Sequence, residues 1–122
     1  MSEESRSNED VQLRLLCPAE RALVRAMLGV RFGGGDLEQI LASSCVEDMR
    51  DGGMGSVRFA GALRRPTGKA LAEATYVDED GITVSIVINV DDQGNLCEID
   101  FWKVDFSPLR RYPLPSQLSV IL

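Results

Sequence analysis

The chain has 122 residues, a formal net charge of −6 and a pI of about 4.6, and its length fits a single domain with its own core. Nucleic acid and anionic membrane surfaces attract clustered Lys and Arg, so the acidic balance argues against both as partners. Because the sequence contains no histidine, it excludes Ser-His-Asp and Cys-His catalytic groups and His-ligated metals.

The N-terminal residues 1–10 are polar and acidic, and they predict a disordered tail in front of one domain spanning residues 11–122. This segment lacks the apolar stretch of a signal peptide. No apolar run in the sequence approaches the length of about 20 residues that a membrane helix requires. Cys17, Cys45 and Cys97 are widely spaced, which is typical of neither a disulfide framework nor a zinc site. We therefore expect a cytoplasmic protein with free thiols and with neither cofactor nor metal.

Two short helices are predicted in the first third of the domain. The first begins at Pro18, a residue that suits the first helical position, and it continues with apolar residues at helical spacing. The glycine run 33–35 is expected to end it. A second helix is expected to begin at Asp36 and to end at Ser43-Ser44. Residues 45–49 then predict a short edge strand.

From Ser56 onward the spacing of apolar residues changes from that of a helix to that of strands, and short turns separate the runs. We place Ile99 and Ala74 opposite Ile86, and Phe59 opposite Ala74, which directs the apolar side chains to one face. The predicted fold is α+β, with two N-terminal helices packed on one face of a four- to five-stranded antiparallel meander sheet. The four main strands are predicted over residues 56–63, 69–77, 82–90 and 95–104, and the turns between them over 65–68, 78–81 and 91–94.

The opposite sheet face mixes charged, polar and aromatic side chains, and we take it as the candidate binding surface. The register places Arg58 and Asp100 in one cross-strand row, with Thr75 and Ser85 between them. It places Glu73 and Glu98 in the next row, and Thr83 beside Trp102. The C-terminal residues 106–122 are too apolar for a solvated linker, so we expect them to cover this face, a helix or another subunit. The predicted binding residues are Arg58, Glu73, Glu98, Asp100 and Trp102.

Each conspicuous group on this face has a structural alternative. Glu73, Glu98 and Asp100 are predicted to cluster on this face, where their carboxylates could do acid–base chemistry or hold a hard cation, but we favour simple solvation or pairing with Arg58 and Lys103. An exposed Trp102 often marks a binding hot spot, although the C-terminal tail (Phe106 or Tyr112) could equally cover it.

The turns and glycine runs also invite functional readings that we do not favour. The acidic turns at 78–81 and 91–94 are interpreted as hairpin turns, since a calcium loop is longer and lies between helices. The glycines at 33–35 and 52–55 are interpreted as turns or hinges and not as phosphate loops, because the Lys-Ser/Thr pair is missing.

Parts of the chain resemble a family of small uncharacterised bacterial proteins. The resemblance rests on Asp51–Phe59 with its GGMGSxxF pattern, on Val77–Gly81, and on Glu98–Leu109 with its ExDxWKVDFxPL pattern. The helix start Pro18-Ala19-Glu20-Arg21 is similar to a Pro-Glu-Glu start in that family. The resemblance spans residues 13–115 and implies a bacterial, cytosolic origin. It implies no activity and no catalytic residues, because the family is a domain of unknown function.

The sequence therefore favours a non-enzymatic protein-interaction domain, immunity- or adaptor-like, whose negative charge would meet a basic partner or whose faces would form a homodimer. The alternative is a small-molecule-binding domain or a carboxylate-based enzyme with a pocket on the polar sheet face. A third hypothesis is a structural subunit of a larger assembly. A deep pocket with a carboxylate of raised pKa would favour the alternative, whereas a flat acidic surface would favour the interaction domain.

Overall fold

The computed structural model describes residues 12–29, 34–61 and 69–121, and in this part of the chain it contains two α-helices and seven strands. The fold is α+β with an antiparallel sheet, which confirms the predicted class, but the sheet is larger than the expected four or five strands. The predicted tail 1–10 and the turn 65–68 lie outside the described residues. In chain order the elements are β1 (Arg14–Leu15), α1 (Pro18–Leu28), α2 (Gly34–Ser43), β2 (Cys45–Asp48), β3 (Val57–Phe59), β4 (Lys69–Val77), β5 (Thr83–Val90), β6 (Leu96–Lys103), a 3-10 turn (Pro115–Gln117) and β7 (Ser119–Ile121).

The helix α1 begins at Pro18, as the sequence predicts. The side chain of Glu20 accepts the backbone N–H of Cys17 at 2.9 Å, which satisfies one of the unpaired donors at the helix start. The helix ends at Leu28, and Gly29 caps it. It therefore ends ahead of the glycine run that we expected to terminate it.

The helix α2 and the strand after it differ from the expectation in their limits and position. Gly34 and Gly35 belong to α2, which thus begins ahead of Asp36; a first helical turn tolerates glycine because its N–H groups have no partner inside the helix. The helix ends at Ser43, as predicted. The strand β2 exists but is not an edge strand, because β1 pairs along its outer side. No helix in the described ranges is long and apolar enough to cross a membrane.

The strand order is β1-β2-β3-β6-β5-β4-β7, and all neighbours are antiparallel. The strand β3 pairs with β6, through Val57 and Ile99, and not with β4. The predicted meander and the predicted pair of Phe59 with Ala74 are therefore wrong. Alternation of side chains predicts which face a residue occupies, but it does not predict which strand lies next to it.

The register of the central strands is partly as predicted. Ala74 lies opposite Ile86, but the other neighbour of Ile86 is Phe101, whereas Ile99 faces Ile88. The β6 register is thus offset by two residues from the expected one. Because side chains alternate with a period of two, this offset leaves every side chain on its predicted face.

The inward face of the sheet forms one core with both helices. Ile86 and Ile99 are completely buried, and they belong to the same apolar cluster as Leu23 of α1 and Leu41 of α2. This burial confirms the face assigned to the aliphatic residues. Ala70 is exposed although it alternates with the buried Ala72 and Ala74, because the pairing of β4 with β5 is irregular between Ala70 and Ala72.

The C-terminal segment packs on the inward side and extends the sheet. The ring of Tyr112 lies 5.3 Å from that of Phe101, and the hydroxyl of Tyr76 donates to the carbonyl oxygen of Arg111 at 3.0 Å. The chain then passes α1 at the 3-10 turn 115–117 and pairs with β4 as β7. This route answers most of the question that the sequence left open, because the segment from Arg111 to Ile121 covers the core and one sheet edge, whereas Phe106 contacts Trp102 on the mixed face.

Candidate interaction surface

The mixed face of the sheet, called the outer face from here on, carries all five predicted binding residues. Its side chains alternate with the buried ones, and they form cross-strand rows that differ from the predicted rows for two reasons, the two-residue offset of β6 and the pairing of β3 with β6. The predicted rows, which placed Arg58 in line with Asp100, Glu73 in line with Glu98, and Thr83 beside Trp102, are therefore wrong. The observed rows are Glu47–Arg58–Glu98–Asn89, then Asp100–Val87–Glu73–Ile121, then Trp102–Ser85–Thr75–Ser119.

Arg58 lies between two carboxylates on neighbouring strands. Its Nε is 3.4 Å from Glu98 Oε2, and one of its terminal nitrogens is 3.8 Å from Glu47 Oε1. Both carboxylate side chains are only 15% exposed. The predicted pairing of Glu98 with Arg58 is therefore present, and Glu47 is a second partner that the sequence analysis did not include. One guanidinium thus serves two carboxylates, which leaves this row negative.

Asp100 extends the negative region. Burial raises the pKa of its carboxyl group, and the nearby carboxylates of Glu98 and Asp51 raise it further, against a hydrogen bond from Ser56 Oγ at 3.3 Å. The Asp51 carboxylate is fixed, because it accepts the backbone N–H groups of Met54 and Ser56. An approaching cation would relieve the repulsion around Asp100, whereas an anion would increase it.

Glu73 does not join this cluster. Val87 separates it from Asp100, so the two carboxylates lie two strand spacings apart, or about 9–10 Å. In the described parts of the chain, no group of three or more Asp, Glu, Cys or His side chains has the arrangement of a metal site. The predicted carboxylate group is therefore spread along the sheet and is not gathered around one point.

An exposed aromatic pair lies at the end of the same face. Trp102 is 51% exposed and Phe106 is 66% exposed, and their ring centroids are 6.2 Å apart. Val77 and Val104 are also about half exposed, and they flank Thr83 on neighbouring strands. Phe106 contacts the ring of Trp102 but leaves half of the side chain accessible, so the C-terminal segment covers Trp102 only in part, and the hot-spot role stays a prediction. We call Val77, Trp102, Val104 and Phe106 the aromatic corner.

The backbone of Phe106 is unusual. Its φ is +63°, and within the described residues it is the one non-glycine residue with positive φ. This left-handed conformation crowds a Cβ atom and costs about 1–2 kcal/mol. The chain therefore places a large exposed ring at a position that glycine would occupy with less strain.

Lys103 is next to Trp102 in sequence but points to the inward side. Its Nζ lies 2.9 Å from Asp78, 2.7 Å from Asp80 and 3.0 Å from the carbonyl oxygen of Pro108, and the side chain is completely buried. The Asp78 carboxylate also accepts the backbone N–H of Arg110 at 2.8 Å. The expected pairing of Lys103 with the outer-face carboxylates is therefore wrong. The signal that could have located it is its inward parity, two residues after the core residue Phe101.

The three stretches that carry the resemblance meet around Lys103, which contacts Met54 of the first stretch and Asp78 of the second. The carbonyl oxygen of Gly53 accepts the N–H of Leu109 at 3.0 Å, and the sulfur of Met54 accepts the N–H of Lys103 at 3.3 Å. A Cβ at Gly53 would lie 3.2 Å from Pro108, and φ there is +84°. The glycine run therefore forms a bend, as interpreted, and packs against the segment that follows β6. These contacts join the three stretches to one another, whereas the rings of Trp102 and Phe106 remain exposed.

Residues 13–113 match a protein family that is described as a domain of unknown function (DUF6984). The matched region contains the three converging stretches and all five predicted binding residues. Neither the curated proteins nor the solved structures include a match to this chain.

Proposed function

Because this chain belongs to the DUF6984 family, which carries no assigned activity, we propose from its outer face that it is a non-enzymatic protein-interaction domain. The observation that carries this proposal is the exposed aromatic corner beside negative rows on a sheet face that the C-terminal segment leaves open. Exposed Trp and Phe side chains provide large contact area, and Trp is enriched among binding hot spots. The proposed contact residues are Arg58, Glu73, Glu98, Asp100, Trp102 and Phe106.

The charge of this surface favours a basic protein as the partner. Arg58 pairs with Glu47 and Glu98, and the carboxylates of Asp100 and Asp51 add negative charge near Glu98, so the described part of this face would present complementary charge to lysine or arginine side chains of a partner. A second copy presenting the same rows would bring like charges together, which is unfavourable. We therefore place a basic partner ahead of a homodimer, and we expect association to weaken with salt.

We infer the type of protein from the small size of the domain and from its negative charge. Small acidic bacterial domains can act as immunity or adaptor proteins by covering a basic surface of a partner, and we infer that this chain is a protein of that kind. Cys17 and Cys45 are free thiols, which is in keeping with the reducing cytoplasm. The alternative, a carboxylate-lined pocket on the outer face, receives less support because the observed carboxylates are spread along a sheet.

The proposal is tested by partner capture with matched variants. The immobilised chain is exposed to lysate of its source cells, and bound proteins are compared for the wild type, Trp102→Ala and Leu114→Ala. Leu114 is 57% exposed and lies away from the outer face, so its variant controls for the loss of an exposed apolar side chain. We expect a basic protein whose affinity falls at least about tenfold in Trp102→Ala and is unchanged in Leu114→Ala.

The same experiment can contradict the proposal. Equal retention of every captured protein by the two variants would show that the aromatic corner is not the contact. Sedimentation of the free wild-type chain as a dimer that Trp102→Ala converts to a monomer would replace the basic partner with a second copy.

Phe106→Gly separates a binding role from a structural one. Glycine relieves the strained backbone, so we expect the free energy of unfolding in urea to be unchanged or to rise by up to about 1 kcal/mol. Partner affinity should nevertheless fall as in Trp102→Ala, since the ring is lost. Phe106→Ala is the matched control, because it removes the ring but retains the strain. Destabilisation of Phe106→Gly to the extent seen for truncation of a core residue would show that the ring serves the fold.

A further inference from the structure

A cavity of about 550 Å³ lies beside α2, at the end of the sheet where β3 ends and β6 begins. Leu28 of α1, Leu37 and Ile40 of α2, and Phe59 and Leu96 of the sheet form its apolar walls. Its volume falls within the range of small-molecule sites, which is roughly 300–1,000 Å³. None of the predicted binding residues of the outer face lines it, so it is a separate feature of the molecule.

The chemistry of the lining limits what the cavity can hold. Among the lining residues that the structure describes, none carries a charge. The polar groups are the Asn95 side chain and the hydroxyls of Ser43 and Ser44, which donate to carbonyl oxygens of α2 and keep their oxygen lone pairs. A charged ligand would lose its hydration without gaining an ionic partner, whereas a neutral apolar one would gain burial.

We propose that this cavity is a binding site for a small neutral molecule with an apolar body and one hydroxyl group. The apolar body would lie against Leu37, Ile40 and Phe59. The hydroxyl would donate to a serine or asparagine oxygen at the rim. This site does not depend on the proposed interaction surface, and either can fail without the other.

A free thiol makes the proposal directly testable. Cys45 is half-buried and lines the cavity, whereas Cys17 is exposed at the start of α1, outside the lining. A ligand in the cavity should shield Cys45 from alkylation and leave Cys17 unaffected. The two thiols therefore provide a reporter and an internal control in one chain.

The experiment measures the alkylation rate of each cysteine by iodoacetamide in the full chain, with peptide mass spectrometry as the readout and 1-octanol as the probe. We expect alkylation of Cys45 to slow about tenfold when octanol is present at about ten times its Kd, and that of Cys17 to stay constant. Octanoate, which has the same chain length and a negative charge, should protect only at a much higher concentration.

Two variants identify the cavity as the site. Ile40→Trp fills it from a partly exposed position and should abolish protection, while Ala42→Trp, on an exposed position of α2 outside the lining, should retain it. Unchanged Cys45 alkylation in octanol, equal slowing of Cys17, or protection that persists in a folded Ile40→Trp variant would each overturn the proposal. Equal protection by octanoate and octanol would overturn the restriction to neutral ligands.

Discussion

Replacement of Asp78 by alanine is expected to lower the free energy of unfolding by about 3–5 kcal/mol. The side chain of Asp78 is completely buried, and its carboxylate binds Lys103 Nζ and the N–H groups of Arg110 and Arg111. Removal of Asp78 leaves the buried Lys103 ammonium with Asp80 as its remaining carboxylate partner, and it leaves the backbone N–H groups of Glu79, Arg110 and Arg111 without this acceptor. Asp78 is thus the link between the β4–β5 turn and the C-terminal segment.

Urea denaturation of the wild type and of Asp78→Ala measures this effect. Glu79→Ala is the matched control, because Glu79 is the next residue and pairs with Arg111 at the surface, where loss of an ion pair changes stability by less than about 1 kcal/mol. The double variant Asp78→Ala/Lys103→Met should recover part of the loss, since it also removes the buried cation that has lost one of its two carboxylate partners. If Asp78→Ala is as stable as Glu79→Ala, the buried link does not hold this corner together.

The pH dependence of the free energy of unfolding provides a second test of the contribution of Asp78. Burial opposes the ionisation of Asp78, but the Arg110 N–H, the Lys103 ammonium and further backbone donors outweigh it and lower its pKa to about 2. An unfolded aspartate has a pKa of about 3.9, so the ionised group stabilises the fold above about pH 4, and this contribution is lost as the pH falls to about 2. The wild type should therefore lose more stability than Asp78→Ala over that interval.

The buried contacts of Asp78 could not be predicted from the sequence. The alternation of apolar residues located β4, β5 and β6 and assigned their faces, because one buried face imposes a strict period of two. It offered no reason to bury a lysine, and acidic turn residues are commonly explained by backbone preference alone. Only the long-range contact of Lys103 with Asp78 reveals why both residues are there.

The order of the strands was predicted wrongly for a different reason. The short turns after β4 and β5 were predicted, and the pairs β4–β5 and β5–β6 were found. The partner of β3 could not be predicted, because strand pairing across a long sequence separation depends on packing that no local pattern encodes. This error matters for the surface, since the observed pairing places Arg58 directly opposite Glu98, on the strand that also carries Asp100.

The candidate surface itself was predicted in part. Face assignment placed Arg58, Glu98, Asp100 and Trp102 on one side, and the open outer face is consistent with that grouping. The prominence of Phe106 depends on a left-handed backbone conformation, which the sequence of a phenylalanine gives no reason to expect. Glu47 was missed because it belongs to a strand that appeared only as a short edge candidate.

A second large effect is expected at the opposite end of the sheet, where Arg14 joins three elements. Its guanidinium binds both carboxylate oxygens of Glu20, at 2.8 Å each, and both carboxylate oxygens of Asp48, at 2.7 and 3.3 Å. Glu20 is only 4% exposed, and it also caps α1 through the Cys17 N–H. One side chain of β1 thereby fixes the start of α1 to the end of β2.

Arg14→Ala is expected to lower the free energy of unfolding by about 2 kcal/mol, at the lower end for charged hydrogen bonds because solvent reaches part of Arg14. Arg14→Lys should lose about half as much, since an ammonium keeps the charge but cannot form two bidentate contacts. Burial opposes the ionisation of Glu20, yet Arg14 and the Cys17 N–H lower its pKa below the ordinary value. The stability that this pair provides is thus present above the pKa of an unfolded glutamate, about 4.3, and is lost as the pH falls through the folded value.

The matched control for Arg14 is Arg25→Ala, because Arg25 also pairs with a carboxylate, that of Glu38, but both side chains are about half exposed. Such surface pairs contribute little, so its urea midpoint should stay close to that of the wild type. Arg14→Ala should lower the midpoint, and it should also speed hydrogen exchange of the Cys17 amide, whose acceptor Glu20 it releases. A midpoint for Arg14→Ala equal to that of Arg25→Ala, with the Cys17 amide still protected, would mean that Glu20 holds the start of α1 without Arg14.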